Sequence, residues 1–305
     1  MSAVQRLSRI SLICREPERL ACFYEQAFDC VLGEQSKLGG TALESLLRIP
    51  GAEATVIRMG LGEQTIELVG MKPEAQAYPP EVPAWSTLFQ HFAIVVSDMA
   101  AAYAKLSAQN GWRPISIAGP QALPASSGGV AAFKFRDPEG HPLELLAFPS
   151  NAVPEIWQRN SGEGFLGIDH SAISVVDTSR SASFYQRLGL QRSGGSCNSG
   201  PEQERLDNVE GAVVEVTALA PPEPTPHVEL LCYRGPFNRN FGVPSINDAA
   251  ATQLVLTVGS ADALNTLCAH NADALYSGPR AFEDGVARAI IRDPDGHLLC
   301  LEAPS

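Results

Sequence analysis

The sequence predicts an α+β fold built from four βαβββ modules, paired into two curved-sheet, half-barrel domains. Three observations carry this expectation. The hexapeptide RDPEGH at 136–141 returns as RDPDGH at 292–297. The dipeptide Phe23-Tyr24 returns as Phe184-Tyr185; both displacements are about 160 residues, so the halves are copies of one another. Within each half, an apolar, β-branched segment followed by a helical pattern starts at Arg9, His91, His170 and Gln253, a recurrence of about 80 residues.

Each module reads alike. The opening strand alternates Val, Ile and Leu with small residues. A helix start follows: Glu16-Pro17, Ser97-Asp98, Asp177-Thr178 and Ser260 supply a first-turn proline or capping side chains. The helix carries an apolar stripe, with Leu20, Phe23 and Tyr24 in the first module and Tyr103 and Leu106 in the second. Gly or Asn closes it, as at Asn110-Gly111 and Gly189. Further strand-like runs end in TIELV (65–69), PLELLAF (142–148), HVELLCY (227–233) and HLLCLEA (297–303). The last has cysteine where the others have glutamate. One such module leaves a sheet face and edge open, so two should join around a cavity.

Composition narrows the class of function. With 45% hydrophobic and 18% charged residues, the chain can bury a core and is not disordered. A net charge of -12 without a clustered basic stripe argues against a nucleic-acid partner. No apolar run approaches a membrane span, and the N-terminus MSAVQRLSRI lacks a signal-peptide core. Seven cysteines, an odd number without a C-x-x-C pair, fit reduced thiols in a cytoplasm better than disulfides or structural zinc. Cys14 and Cys22 lie in apolar stretches and read as small core residues.

The domains expected are residues 1–150 and 166–305, joined by a polar, turn-rich linker at 151–165. Shorter proline-rich bridges occupy 72–83 and 221–226. The string GEGFLG (162–167) matches G-x-G-x-x-G, but it precedes a strand instead of joining strand to helix and is rejected as a nucleotide site. The Gly/Ser-rich stretch 119–135 reads either as a mobile loop over a pocket or as a hairpin connection.

An opening strand carrying Gln90-His91 or Asp169-His170, a helix with Phe-Tyr, and a D-P-[DE]-G-H turn leading into L-E-L together resemble the vicinal oxygen chelate superfamily. That group includes glyoxalase I, bleomycin-resistance proteins and extradiol dioxygenases. The resemblance covers nearly the whole chain. It implies one ligand from the first strand and one carboxylate from the last strand of each module, giving up to four N/O ligands to a divalent first-row transition metal: Fe, Mn, Ni, Co or Zn.

Carried over by position, the first half offers Arg9, Glu67, His91 and Glu144, and the second offers His170, Glu229, Gln253 and Cys300. Arg9 has no lone pair to give. The expected metal set is therefore Glu67, His91 and Glu144, with Glu67 or Glu144 as general base, Arg9 toward substrate, and a weaker second site at His170 and Glu229. Two residues beyond Cys300, Glu302 shares its strand face and is a substitute. Arg9 between two carboxylates would alternatively balance charge without metal. The extradiol ligand pattern, two His and one Glu in the second half, is disfavoured by Gln253 and Cys300.

Ordinary structural roles are expected for other repeated residues. His141 and His297 should stabilise turns, and Tyr24 and Tyr185 should pack in the core. His227 and His270 belong to no constellation and are expected to be exposed. Trp85, Phe89 and Phe92 are expected beside the cavity. Two functions remain open: a metal-dependent lyase, isomerase or dioxygenase acting on a small oxygenated substrate, with its site in the N-terminal half, or a metal-free protein that sequesters a small ligand in the manner of bleomycin resistance. Four modules complete two pairs in one chain, so a monomer suffices and a homodimer is not required.

Overall fold

The computed structural model describes residues 4–74, 76–159, 164–237 and 241–305. Residues 160–163 of the expected linker, with part of the GEGFLG string, lie outside them, as do Met1, Ser2 and Ala3. The first module comprises β1 (Val4–Cys14), α1 (Pro17–Phe28), β2 (Val31–Leu38), α2 (Gly40–Leu47), β3 (Glu53–Leu61) and β4 (Gln64–Lys72). The second comprises β5 (Gln90–Val96), α3 (Met99–Ser107), β6 (Arg113–Pro114), β7 (Gln121–Ala122), β8 (Ala131–Arg136) and β9 (Pro142–Ala147), and α4 (Glu155–Arg159) follows in the linker. The third comprises β10 (Phe165–Ser174), α5 (Thr178–Leu188), β11 (Gln191–Ser199), α6 (Pro201–Asp207), β12 (Val213–Ala220) and β13 (His227–Tyr233). The fourth comprises β14 (Gln253–Val258), α7 (Ala261–His270), β15 (Leu275–Ala281), β16 (Val286–Arg292) and β17 (Leu298–Pro304). Among the described residues no helix is long and apolar enough to cross a membrane.

Helix starts follow the local chemistry. Asp98 accepts from the N–H groups of Ala100 and Ala101, Asp177 from Arg180, and Ser260 from Ala263, while α1 opens on Pro17 without a side-chain cap. Gly189 closes α5 in the left-handed region, but α3 stops at Ser107, before Asn110-Gly111. The short helices α2 and α6 depart from the βαβββ pattern: each interrupts the strand run of its module. Cys14 is buried as expected, whereas Cys22 faces outward from α1.

The sheets cross the sequence halves. One runs β15-β16-β17-β14-β1-β4-β3-β2 and the other β11-β12-β13-β10-β5-β9-β8-β6. Module one thus joins module four through antiparallel β1 and β14, and module two joins module three through β5 and β10. Alternation along each strand assigns the faces. Ile10, Leu12, Ile66 and Leu68 of one sheet, with Phe92, Ile94, Leu143 and Leu145 of the other, enter a single core with Phe23, Tyr24, Phe184 and Tyr185 of the helices. The intervening residues face the concave sides.

The repeated D-P-x-G-H turn fastens neighbouring modules, and so the two sheets, together. Asp137 accepts from the N–H groups of Glu139 (2.9 Å) and His141 (3.0 Å), meets His141 Nδ1 at 2.8 Å, and accepts from the Tyr24 hydroxyl at 3.2 Å. His141 Nε2 lies 2.9 Å from the Ile13 carbonyl of β1. The fourth module repeats this: Asp293 accepts from the N–H groups of Asp295 and His297 and from Tyr185, and His297 Nε2 lies 3.0 Å from the Ser174 carbonyl of β10. The glycine is required, since Gly140 and Gly296 have φ of 99° and 98° and an added Cβ would press on Tyr78 and Val243. His141 and His297 therefore stabilise turns, as expected, and the two tyrosines add a hydrogen bond to their core packing.

Burial alone would depress His141, but the Asp137 carboxylate and the Ile13 carbonyl hold its pKa above the ordinary value. A histidine with a raised folded pKa contributes stability that is fully present below pH about 6.5 and is lost as pH rises through the folded value. The stability lost in His141→Gln should therefore be largest on the acid side of neutrality and shrink as pH rises, as measured by urea unfolding at several pH values. Tyr24→Phe should cost about 2 kcal/mol, the value of a buried hydrogen bond to a carboxylate, read in the same experiment.

Candidate functional site

The ligand positions of modules two and three converge on the concave face of the β5/β10 sheet. Parallel pairing sets Ala93 beside Glu144 and Ala172 beside Glu229, which carries His91 and His170, two residues earlier, to the same side. His91 Nε2 lies 2.8 Å from Glu144 Oε2, and His170 Nε2 lies 3.8 Å from that oxygen and 3.6 Å from Glu229 Oε2. His91, Glu144 and His170 are buried, with ligand atoms all within 4.8 Å of one another. Two imidazoles and one carboxylate around one point, with Glu229 beside His170, form an N/O donor set suited to a divalent first-row metal.

Neighbouring groups orient this set. Asp169 Oδ2 lies 3.0 Å from His170 Nδ1, leaving Nε2 toward the site, and Asp169 is itself held by the Trp157 indole N–H at 3.2 Å. His227 is half-buried instead of exposed; its Nε2 lies 3.6 Å from Glu229 Oε1. His270 is exposed, as expected. Among the described residues, buried His91 Nδ1 has no hydrogen-bond partner.

Lys134 stands opposite Glu144 in the β8–β9 ladder, with its ammonium 2.7 Å from buried Asp207, which also accepts from Tyr233 (2.8 Å) and Gln203 (2.6 Å). Burial would raise Glu144, but Lys134 and then the hydrogen bonds with His170 and His91 hold it well below the usual carboxylate range. Burial and the Lys134 charge both lower His91. Burial would also lower His170, yet Glu229, Asp169 and Glu144 hold it well above the ordinary imidazole value. These shifts favour a neutral His91 and a charged His170 near neutral pH. With Lys134 paired to Asp207, the carboxylates Glu144, Glu229 and Asp169 gather around His170.

A cavity of about 170 Å³ opens over this set. Leu123, Ser127 and Val130, from the stretch 119–135, form part of its wall; that stretch is a hairpin connection, with β7 paired to β8. Trp85, Phe89 and Phe92 do not line it. Phe89 and Phe92 are fully buried in apolar cores, and Trp85 stacks on Phe237 at 5.2 Å.

Glu67 does not join His91 and Glu144. It lies in the β1/β14 sheet, with Arg9, Gln253 and Cys300 at the corresponding positions, because β1 pairs with β14 and not with β5. Arg9 donates from Nε to Glu67 at 3.0 Å and clasps Glu302 from both terminal nitrogens at 2.8 and 2.5 Å. Glu67 also accepts from Ser11 at 3.1 Å. Arg9 thus lies between two carboxylates, but the second is Glu302, not Glu144. Burial would lower Arg9, and Glu302 and then Glu67 raise it above its ordinary value. His170 and Glu229, expected to form a separate weaker site, lie with His91 and Glu144. Sequence reasoning missed Lys134; the signal was a cation one strand back from the ligand carboxylate, visible only with the β8–β9 register in hand.

Removing Lys134 alone leaves Asp207 buried without its cation. Lys134→Met should cost about 3–5 kcal/mol, and Lys134→Met with Asp207→Asn, which keeps an acceptor for Tyr233 and Gln203, should recover part of it, as measured by denaturant unfolding.

The comparisons agree with this architecture. The Glyoxalase/Bleomycin resistance protein/Dioxygenase superfamily model matches residues 6–145 and 167–301. No curated protein matches the sequence. Among solved structures, glyoxalase I from Zea mays superposes with a TM-score of 0.61 at 16% identity, covering 98% of this chain and 92% of that one. A Bacillus subtilis protein to which dioxygenase activity has been ascribed superposes with a TM-score of 0.62 at 12% identity, covering 100% of this chain and 86% of that one. At these identities the superpositions speak to the fold, and the family match over both repeats establishes that the chain belongs to the glyoxalase/bleomycin resistance protein/dioxygenase superfamily.

Proposed function

We propose that this protein is a divalent-metal-dependent enzyme of the vicinal oxygen chelate type, its metal held by His91, Glu144, His170 and Glu229, two from each sequence half. The observation that carries this reading is the convergence of His91, Glu144 and His170 on one buried point, with Glu229 reaching His170 from the adjoining strand. A divalent ion there supplies Lewis acidity toward two neighbouring oxygens of a small substrate. The chain's own residues supply the rest. Asp169 fixes the His170 tautomer, so that Nε2 faces the site. The Lys134 ammonium keeps Glu144 ionised and therefore available as a ligand. Glu229, with a side chain 21% exposed against 8% for Glu144, is the more accessible carboxylate and the one we assign as general base.

The cavity lining supports an oxygen-rich substrate. Gln203 donates its amide N–H to Asp207, which leaves Gln203 Oε1 as a buried acceptor without a partner, and Asn198 Oδ1 is another; both residues line the cavity. Buried acceptors left unmade cost free energy until a donor arrives. Hydroxyl donors on a small oxygenated substrate match them.

Metal analysis of tag-free protein should find about one divalent ion per chain, with affinity highest for a first-row transition metal. His91→Ala and His170→Ala should abolish binding, Glu67→Gln should leave it unchanged, and Asp169→Asn should weaken it about 10–100-fold. Protein that takes up no ion, or takes it up equally in His91→Ala, would refute the proposal.

A further inference from the structure

The concave face of the β1/β14 sheet encloses a second cavity of about 880 Å³, outside the metal-ligand set. Its lining holds four lysine and arginine side chains against five carboxylates. Every guanidinium among them is paired. Arg9 joins Glu67 to Glu302, Arg58 lies 3.2 Å from Glu67 and 2.6 Å from Glu34, and Arg288 lies 2.8 Å from Glu302 and 2.6 Å from Asp284. An entering anion would have to break one of these pairs and face the carboxylates. An entering cation would have to displace an arginine. Both lose more than they gain in a partly desolvated site, so the charge network selects an uncharged occupant.

Gln253 is the polar side chain that this network leaves over. It opens β14, beside Ser11 of β1 on one flank and Leu298 of β17 on the other. It is 7% exposed and lines the cavity. Among the described residues its side-chain amide has no hydrogen-bond partner, since Ser11 gives its hydroxyl proton to Glu67 at 3.1 Å. The amide holds a carbonyl acceptor and N–H donors side by side. Left unmade in a nearly buried place, both cost free energy until a matching group arrives. A carboxamide edge meets both at once, with one N–H and one C=O. A ketone or carboxylate only accepts, and a hydroxyl has one oxygen for two partners.

The position of Gln253 also sets the shape of the occupant. The inward residues of β1 run Arg9, Ser11, Ile13, from the ion pairs to an apolar end, and Gln253 pairs with the middle one. Beyond it, Ile13 and Val69 meet Leu43 and Leu46 of α2, with Val56 and Ile290, in an aliphatic compartment. A polar edge at Gln253 and an apolar body beyond it fit the two parts of this lining.

We propose that this cavity is a metal-independent binding site for a small uncharged carboxamide with an aliphatic body, its amide edge paired with the Gln253 side chain and its body beneath α2. The ion pairs of Arg9, Arg58 and Arg288 stay intact and exclude charged competitors.

Calorimetric titration of the full chain in the presence of a chelator tests this, with octanamide as the probe. Two relatives serve as comparisons: N,N-dimethyloctanamide keeps the carbonyl but has no N–H, and octanoate is charged. Octanamide should bind at about one per chain, and each relative at least about tenfold more weakly. Gln253→Met, which keeps the length of the side chain, should weaken octanamide by at least about tenfold. Its urea midpoint should be no lower than the parent's, because the folded protein loses no hydrogen bond. A lower midpoint would assign the amide a structural role and count against the proposal. Equal binding of the three compounds, no octanamide binding at millimolar concentration, or unchanged octanamide binding in Gln253→Met would overturn it.

Discussion

The antiparallel pairing of first strands, β1 with β14 and β5 with β10, is the constraint on which the rest of the molecule depends. Each module brings its ligand positions to the concave side of its own sheet, but one module holds only two. Which module lies across the central seam decides which four side chains share a cavity. Because the middle modules pair with one another and the outer modules pair around them, His91, Glu144, His170 and Glu229 meet in one sheet. Arg9, Glu67, Gln253 and Cys300 meet in the other, where arginine occupies the carboxylate.

The two concave faces are built on one plan with different side chains. In the β5/β10 sheet the first-strand positions hold imidazoles and the last-strand positions hold carboxylates. In the β1/β14 sheet Arg9 stands where an imidazole would stand, and Arg58 and Arg288 stand across from Glu67 and Glu302. Lys134 occupies the same cross-strand relation to Glu144 as Arg58 does to Glu67. There buried Asp207 takes the ammonium, and Lys134 tunes Glu144 through space. A few substitutions at equivalent register positions thus replace a histidine–carboxylate cluster by an arginine–carboxylate network without disturbing the sheets.

The same economy of position governs how the sheets are held together. The D-P-x-G-H turn of each even-numbered module hydrogen-bonds the first strand and the helix tyrosine of the module before it, and those two modules lie in different sheets. Helices from both sheets then enter one core. Neither sheet is an independent packing unit, and the geometry of each cavity is braced from the other side of the molecule.

The sequence by itself determined the module and its inward positions. The resemblance to vicinal oxygen chelate modules marked His91, Glu144, His170 and Glu229 as inward positions of their own modules, and the repeat made the four modules equivalent. The turn motif was legible for a similar reason: only glycine tolerates the backbone at Gly140 and Gly296, and the aspartate must cap locally. Tertiary structure alone decided the partnership. Four equivalent modules can pair in more than one way, and adjacency in the chain favours pairing within each half. That grouping put Glu67 with His91 and left His170 in a weaker set. The pairing that forms rests on contacts between residues far apart in sequence, such as Arg9 with Glu302 and His91 with His170. It also rests on the short helices α2 and α6, whose roles over the cavities no local pattern announces. Charge balance in a buried site is a sum over neighbours in space, and the chain order does not contain that sum.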